Sequence, residues 1–540
     1  MTTDPTGRPG KASQPGLGDG VPLAPRAGGT RQRRSTPKPG NDVIENATEA
    51  QFILRFAVPA RAVDALAAAI HAEEAHAQRC LSTGFDTAVG RLAARGVFLS
   101  LCKRGSEWVQ AAVASTPDCV RLLVHEVDLG TRRRGRVPAL LPHLHDGSEA
   151  GLALRAAMGA PDDSPLLAAF AVDATRLVRQ VRCDDAVVEI AQVTGMITTD
   201  GASMPFREFE ARLVSGPVAG LFAVAREWST RHGLCLSTES SGERGARLAS
   251  GHPGGLPTTA AFPEAPFVDG ACFLRATLDS GLMQTVANAS VIGDGTQDRH
   301  VAGQLRDGLQ RLRTTIAELA SMAPDMDEAW EPVLKRTFQE LAAHHCTVAL
   351  RPSLMQEMRS AGLAYALGSS HPMEARSMGA VVQDPEFQRV MLEILAYRHA
   401  LPPPFRRHRG TLKQLQKRFA TELVRRQDAV AGDADDLRST SQLRRARRHL
   451  ERLWRLATFA GPLYDARHVD AFLARCRIAQ DAFAADGEHR SGLDALDDDG
   501  DCSANVKLAR RWLARRLADD RKACASSLRR VGKAAAFWAA

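Results

Sequence analysis

The chain has 540 residues, enough for two or three domains with full hydrophobic cores. A net charge of +8 and a pI near 9.1 bias it toward polyanionic partners, while ten scattered cysteines, with no CxxC pair and no Cys/His group at zinc-ligand spacing, argue against a zinc site and a disulfide framework. No apolar run approaches the ~20 residues of a membrane span, the N-terminus lacks a signal-type apolar core, and a reducing cytoplasm is the expected compartment.

Residues 1–45 are rich in Gly, Pro, Thr, Arg and Lys with hardly an apolar side chain, so they read as a disordered basic tail. RQRR at 31–34 could touch an anion, but no apolar segment follows it and it is not a twin-arginine signal. From residue 49 the texture changes. QFILRFAV at 51–58 has strand composition, and an alanine-rich helical stretch follows from Pro59 to Gln78. After Gly84-Phe85-Asp86-Thr87 comes a second helical piece to Arg95, then strand candidates GVFLSLCK, EWVQAAVA, LVRQVRC, AVVEIAQV and PFREFEARLV. Pro217 to His232 reads as a helix with proline in its first turn. The region to about residue 250 is therefore strand-rich α+β.

The order QFILRFAVP, FDT, a helix ending in ARG, VFLSLCKRGSEWVQ, VEIAQVTG, REFEARLVSG, a helix and ERGARL resembles a CYTH domain, the triphosphate tunnel fold, over residues 46–250. The resemblance implies an antiparallel β tunnel of eight strands with flanking helices, basic residues gripping a triphosphate, and paired glutamates holding Mg²⁺ or Mn²⁺. Many of the family's charges are replaced. Its opening Glu-x-Glu-x-Lys falls on Gln51, Ile53 and Arg55, which the two-residue strand period points into the tunnel. Its Arg-x-Arg falls on Ser100 and Cys102, with Lys103 and Arg104 beside them; its later cations fall on Val113, Asp173 and Ser241, while Arg176 survives. Glu189, Glu208 and Glu210 match acidic positions, but Val193 and Arg212 stand where two more are expected. The resemblance thus implies triphosphate-binding Arg55, Lys103 and Arg176, a weak Mg or Mn site at Glu189, Glu208 and Glu210, and impaired catalysis, since a hard cation wants several oxygen ligands to polarise phosphate and acidify water. Glu208 and Glu210 read equally well as residues of an ordinary strand.

HPGGLPTTAAFPEAP within 251–267 reads as a linker. Helical periodicity then runs almost to the end, in segments 272–289, 298–322, 326–345, 385–400, 407–429, 439–459, 468–485 and 503–533, with LPPPF at 401–405 breaking the series. DALDDDGDC has the composition of a calcium loop but lacks its closing glutamate, so a solvated turn is expected. QLRDGLQRLR at 304–313 returns as QLRRARRHL at 442–450, which suggests a duplicated helical unit. Arg306, Gln310 and Arg313 share one helix face, Arg444 and Arg448 share another, and Leu305, Leu309 and Leu312 form a packing stripe. Acids are sparse from Arg438 to Arg455, where only Glu451 interrupts, and a like-charge row of that kind costs stability unless an anion neutralises it. An arginine-rich solvated face is the plain alternative.

Residues 268–540 resemble a CHAD domain, an all-α bundle of two pseudo-symmetric halves often found after CYTH domains, including the terminal Phe537-Trp538. In that family basic residues line a groove that binds inorganic polyphosphate, which implies polyphosphate-binding Arg306, Arg311, Arg313, Arg444 and Arg448 here. Gly303 and Ser441 stand where the family has histidine, His449 where it has lysine, and its Arg-Asp-x-Asp is missing near Cys346 to Ala349. An arginine row suits such a chain because guanidinium pairs bidentately with phosphate oxygens.

The expected function is binding of polyphosphate or a similar phosphate polyanion by the helical domain, beside a CYTH-like domain with impaired catalysis. The alternative is a metal-dependent inorganic triphosphatase. Nucleic-acid binding is less favoured because few aromatics lie among the arginines to stack bases, and an interaction scaffold with both domains degenerate is the remaining reading.

Overall fold

Eight strands close into an antiparallel barrel: β1 Ala50–Ala57, β2 His76–Thr87, β3 Val97–Arg104, β4 Glu107–Ser115, β5 Arg121–Thr131, β6 Leu166–Cys183, β7 Ala186–Thr198 and β8 Ser203–Ser215. The order around the wall is β5-β4-β3-β2-β6-β7-β8-β1, and β1 pairs back to β5 to remove the free edge. A short β9, Cys235–Ser237, continues along β1 beyond that closure. The computed structural model describes residues 50–132, 136–159, 165–252, 254–261, 263–264, 266–323, 325–363, 376–401, 412–498 and 504–539. The 1–45 tail with its RQRR, residues 402–405 of LPPPF, residues 499–502 of the acidic stretch, and the side chains of Cys346 to Ala349 lie outside what is described.

The alternation of β1 shows how the wall is built. Leu54 and Phe56 are buried outward against α1 (Val63–His71) and α3 (Val218–His232), while Ile53 and Arg55 face the interior. Phe209 of β8 sits between Phe56 and Trp228, with ring centroids 5.9 Å and 5.6 Å away and the tryptophan stacked nearly parallel. On the opposite flank α2, Glu149–Met158, is started by Ser148 accepting from Gly151 and covers Val97, Leu99, Ala112 and Ala114. Helix α4, Ser241–Ala249, opens with a Ser240/Glu243 capping box and closes one end of the barrel. Its Leu248 joins in-facing Val172, Ala174, Val193 and Phe206, so that end is filled by side chains. A Cβ on Gly245 would stand 2.3 Å from the Phe170 ring, so only glycine permits the approach.

Nine helices follow among the described residues: α5 Gly270–Gly293, α6 Arg299–Leu319, α7 Trp330–Ser360, α8 Met378–Val382, α9 Pro385–Ala400, α10 Leu412–Asp433, α11 Thr440–Ala460, α12 Ala466–Asp498 and α13 Ala504–Gly532. Asp298 caps α6 by accepting from His300, and Ser439 caps α11 in a capping box with Gln442. Leu305, Leu309 and Leu312 on α6, and Leu443 and Leu450 on α11, are buried as the repeated stripe requires. Helix α5 is buried on nearly every face, and α6 packs against it so closely that a Cβ on Gly308 would come 2.8 Å from the Thr285 nitrogen.

Barrel and helices share one hydrophobic core and form a single compact unit, Asn46–Ala540. His399 of α9 lies against Phe52 and Phe222, and Leu236 N–H donates to Gln388 Oε1 at 2.7 Å. The expected linker is docked: Thr258 exchanges hydrogen bonds with Asn288, and Ser280 donates to the Ala261 carbonyl.

Several expectations change. The helix expected over Pro59–Gln78 ends at His71, and His76–Gln78 open β2, which runs through Gly84 to Thr87 with its register shifting at Gly84/Phe85. Strands β2 and β5 have little local strand signal; pairing with two neighbours each overrides propensity. Ala93–Arg95 is one 3₁₀ turn instead of a helix. Residues Asp494–Asp498, expected in a turn, continue α12.

Candidate anion-binding site

The register lays the charged residues of the barrel interior into a lattice. Arg55 opposes Glu210, which opposes Ala191; Arg176 opposes Val193, which opposes Glu208; and Glu189 opposes Arg212. The three glutamates expected to hold a metal are therefore neighbours on one patch of wall, with arginines interleaved. Arg55 Nε donates to Glu210 Oε1 at 3.3 Å, and Arg176 Nη2 to Glu210 Oε2 at 2.8 Å. Arg176 also lies 3.6 Å from Glu189 Oε1, and Arg212 2.9 Å from Glu189 Oε2. Arg244 of α4, nearly fully buried, is paired with Glu208 and reaches Asp294 at the end of α5 at 3.2 Å.

Burial pushes the Glu208 carboxyl up to about 7, although Arg244 pulls it down. Burial acts on Glu210 in the same direction, but Arg176 and Arg55 outweigh it and hold that carboxyl below the usual range. Such a set does not fit a divalent cation. A hard ion needs several free oxygens, and of this patch only Glu189 Oε1 is buried without a hydrogen bond. No group of three or more His, Cys, Asp or Glu suited to a metal occurs among the described residues.

Of the expected triphosphate cations, Arg55 and Arg176 are brought together over Glu210, and Lys103 is not with them. Strand parity turns Lys103 to the outer face opposite Trp108, its ammonium 6.0 Å from the ring centroid. The in-facing cation of β3 is Arg104, held on Glu126 at 2.9 Å and 2.5 Å. Arg104 and Arg244 both lie in stretches that the sequence exposes, Arg104 beside the expected Lys103 and Arg244 in ERGARL. A period-two count from Ser100 reaches Arg104; only the placement of α4 brings in Arg244.

On the helices, Arg306 and Arg313 both lie over Phe338 of α7, at 4.6 Å and 5.5 Å from the ring centroid. Arg313 is fixed by Glu331 at 2.7 Å, while the buried Arg306 Nε has no hydrogen-bond partner among the described residues. Arg311 lies elsewhere on α6, about 200° round the helix from Arg313, where it donates to the Ala260 carbonyl and Ser280 Oγ at 2.8 Å and 2.7 Å. Burial lowers its pKa.

Arg444 and Arg448 are exposed on the first turns of α11 and carry no ion pair among the described residues. At helical spacing Arg452 and Arg455 extend their stripe, so that 444, 448, 452 and 455 span about 16 Å of one face at 1.5 Å per residue. The far end of that stripe meets α6. Arg455 has its pKa lowered first by burial and then, against the pull of Glu451, by the positive charges of Arg313, Arg452 and Arg306. Arg452 and Arg455 were legible only as part of a basic run; the crossing of α6 and α11 joins them to Arg306 and Arg313. His449 and Arg445 point away, onto Asp433 of α10 at 2.7 Å and 2.9 Å.

The helices now have a family. The model described as CHAD domain matches residues 276–490. This stretch is a CHAD domain. It contains α6, α11 and the whole arginine stripe, while α13 lies beyond the match. The barrel stands outside the match, and its closed eight-strand antiparallel wall fits a CYTH-like tunnel. Among solved structures, the chain is similar to the CHAD domain of Ricinus communis at 18% identity and TM-score 0.37, covering 51% of this chain and 96% of that one. It is also similar to a Hippeastrum candidate adenylyl cyclase reported to show a dominant triphosphatase activity, at 16% identity and TM-score 0.28, covering 37% and 96%. A candidate adenylate cyclase from Bacillus halodurans follows at 12% identity and TM-score 0.23, covering 34% and 91%. No curated protein matches the chain. No helix among the described residues is long and apolar enough to cross a membrane.

Proposed function

We propose that the CHAD domain binds inorganic polyphosphate, or a similar linear phosphate polyanion, along the arginine stripe of α11 and across its junction with Arg306 and Arg313. The observation that carries this reading is the convergence of Arg306, Arg313, Arg452 and Arg455 from two helices, with Glu331 and Glu451 the acids paired to them. Four guanidiniums held that close repel one another, and a chain of phosphates relieves the repulsion while accepting paired N–H donors. Phe338 lies against two of them, its ring centroid 4.6 Å and 5.5 Å from the guanidinium carbons. Arg444 and Arg448, exposed and without an ion pair among the described residues, extend the track for a longer polymer. The barrel serves as the support on which α5, and through it α6, is seated.

The test is binding of labelled polyphosphate to the full chain across a salt series, beside Arg306→Ala/Arg455→Ala and Arg444→Ala/Arg448→Ala. About four phosphate contacts would weaken affinity by roughly 10²-fold between 50 and 200 mM salt, and each pair of substitutions should flatten that slope. Binding that is absent, or that neither pair changes, would reduce the stripe to a solvated face. Competition with single-stranded DNA of matched charge separates the nucleic-acid reading, which lacks aromatics along the stripe for base stacking.

A further inference from the structure

We infer that guanidinium groups stand permanently where the tunnel resemblance would place a divalent cation, so that the barrel is a metal-free module whose acids are committed to its own arginines. Three observations carry this. The three in-facing glutamates occupy adjoining positions on β7 and β8, close enough for their oxygens to converge on an ion if nothing lay between them. Arginines do lie between them, and each comes from a different element: Arg55 from β1, Arg176 from β6, Arg212 from β8 itself and Arg244 from α4. These guanidiniums take up carboxylate oxygens that an ion would need, and a cation entering the patch would meet their positive charges at close range.

Two of these arginines stand where the resemblance expects something else: Arg212 at an expected acid, and Arg55 at the expected lysine. Arg212 changes the sign of the charge at a ligand position and turns Glu189 toward itself at 2.9 Å. Arg55 keeps the charge of the lysine but presents a forked donor that takes Glu210 from the side. Arg176 is the hinge of the set because it touches both Glu189 and Glu210. The filled end of the barrel, where Leu248 and Phe206 pack, keeps bulk water from reaching the paired groups on that side. The interior is thereby a buried ion-pair lattice, not an empty ligand cage.

The experiment uses the full chain and reads metal directly. Mn²⁺ is titrated into the wild type, Arg176→Ala and Arg176→Ala/Glu210→Gln, with the free-ion signal followed by electron paramagnetic resonance and folding checked by thermal melting. The wild type should leave the free Mn²⁺ signal unchanged and melt alike with EDTA and with millimolar Mn²⁺. Arg176→Ala strips the guanidinium shared by Glu189 and Glu210 and should gain roughly tenfold or more in Mn²⁺ affinity, with a melting temperature that rises when the ion is added. The double variant should lose that gain. Stoichiometric Mn²⁺ uptake by the wild type that Glu210→Gln abolishes would overturn the inference. So would a folded Arg176→Ala that still takes no ion, because the arginine would then not be what excludes it. If Arg176→Ala does not fold, Arg212→Ala, at a more exposed position, frees a Glu189 oxygen and is read the same way.

Discussion

Removing Arg244 should weaken the whole chain, and by an amount that depends on pH. This side chain is 4% exposed; it holds Glu208 in the barrel wall and reaches Asp294 and Glu239 where the barrel meets α5. Arg244→Met keeps the hydrophobic stem and deletes the charge. Breaking a buried ion pair by removing one partner costs about 3–5 kcal/mol, because the other is left uncompensated. Here the remaining acids can escape part of that cost by taking up protons. Burial already places the Glu208 carboxyl at about 7 and that of Glu239 at about 8, and both rise further without the guanidinium. Their ordinary value is 4.5. Between that value and the raised ones, the folded variant binds more protons than the unfolded chain, so its stability falls as pH rises through the window. The loss relative to wild type should therefore be smallest near pH 5, where both acids are neutral in either protein. It should be clearly larger at pH 8, where the wild-type carboxyls have largely ionised against Arg244 while those of the variant must stay protonated or be buried uncompensated. Urea unfolding followed by tryptophan fluorescence at the two pH values reads it, and Arg244→Met/Glu208→Gln should recover a large part of the loss at pH 8. A loss below about 1 kcal/mol at pH 8, or one equal at both pH values, would refute the reasoning.

Other outcomes follow from the same geometry. Arg311→Ala should destabilise the fold by about 1–3 kcal/mol through its two lost charge-assisted hydrogen bonds, yet leave the salt slope of polyphosphate binding unchanged; a flattened slope would return Arg311 to the binding track. Arg455→Ala should weaken polyphosphate roughly tenfold and lower the salt slope by about one, measured by fluorescence anisotropy; an unchanged slope would separate it from the anion. His145 is buried with its Nδ1 2.9 Å from that of His125, and burial followed by the His125 charge lowers its pKa to about 4 from 6.5. Between those values the unfolded chain holds more protons, so stability is lost as pH falls from 6.5 toward 4, and His145→Gln should blunt that acid sensitivity in a melting-temperature series.

The amino-acid sequence by itself determined the division into a strand-rich part and a helical part, because a two-residue alternation and a 3.6-residue periodicity are local signals. It also determined the positions of eight long helices to within a few residues of most ends, the marked divergences being the helices expected over 326–345 and 468–485, which run on to Ser360 and Asp498, along with the repeated arginine motif and the in-facing parity of Arg55, Glu208 and Glu210. Strands β2 and β5 were not legible, since their extended form is imposed by partners far away in the chain. The opposite parity of Lys103 and Arg104 follows from the two-residue period, but what each meets, Trp108 for one and Glu126 for the other, was not legible. Tertiary structure alone decided what the charges meet. Arg176 and Glu210 are 34 residues apart, Arg55 and Glu210 155, and Arg313 and Arg455 converge only because α6 and α11 cross. A charge declares itself in sequence, but whether it is neutralised by the protein or left for a ligand depends on distance through space, and that the fold alone supplies.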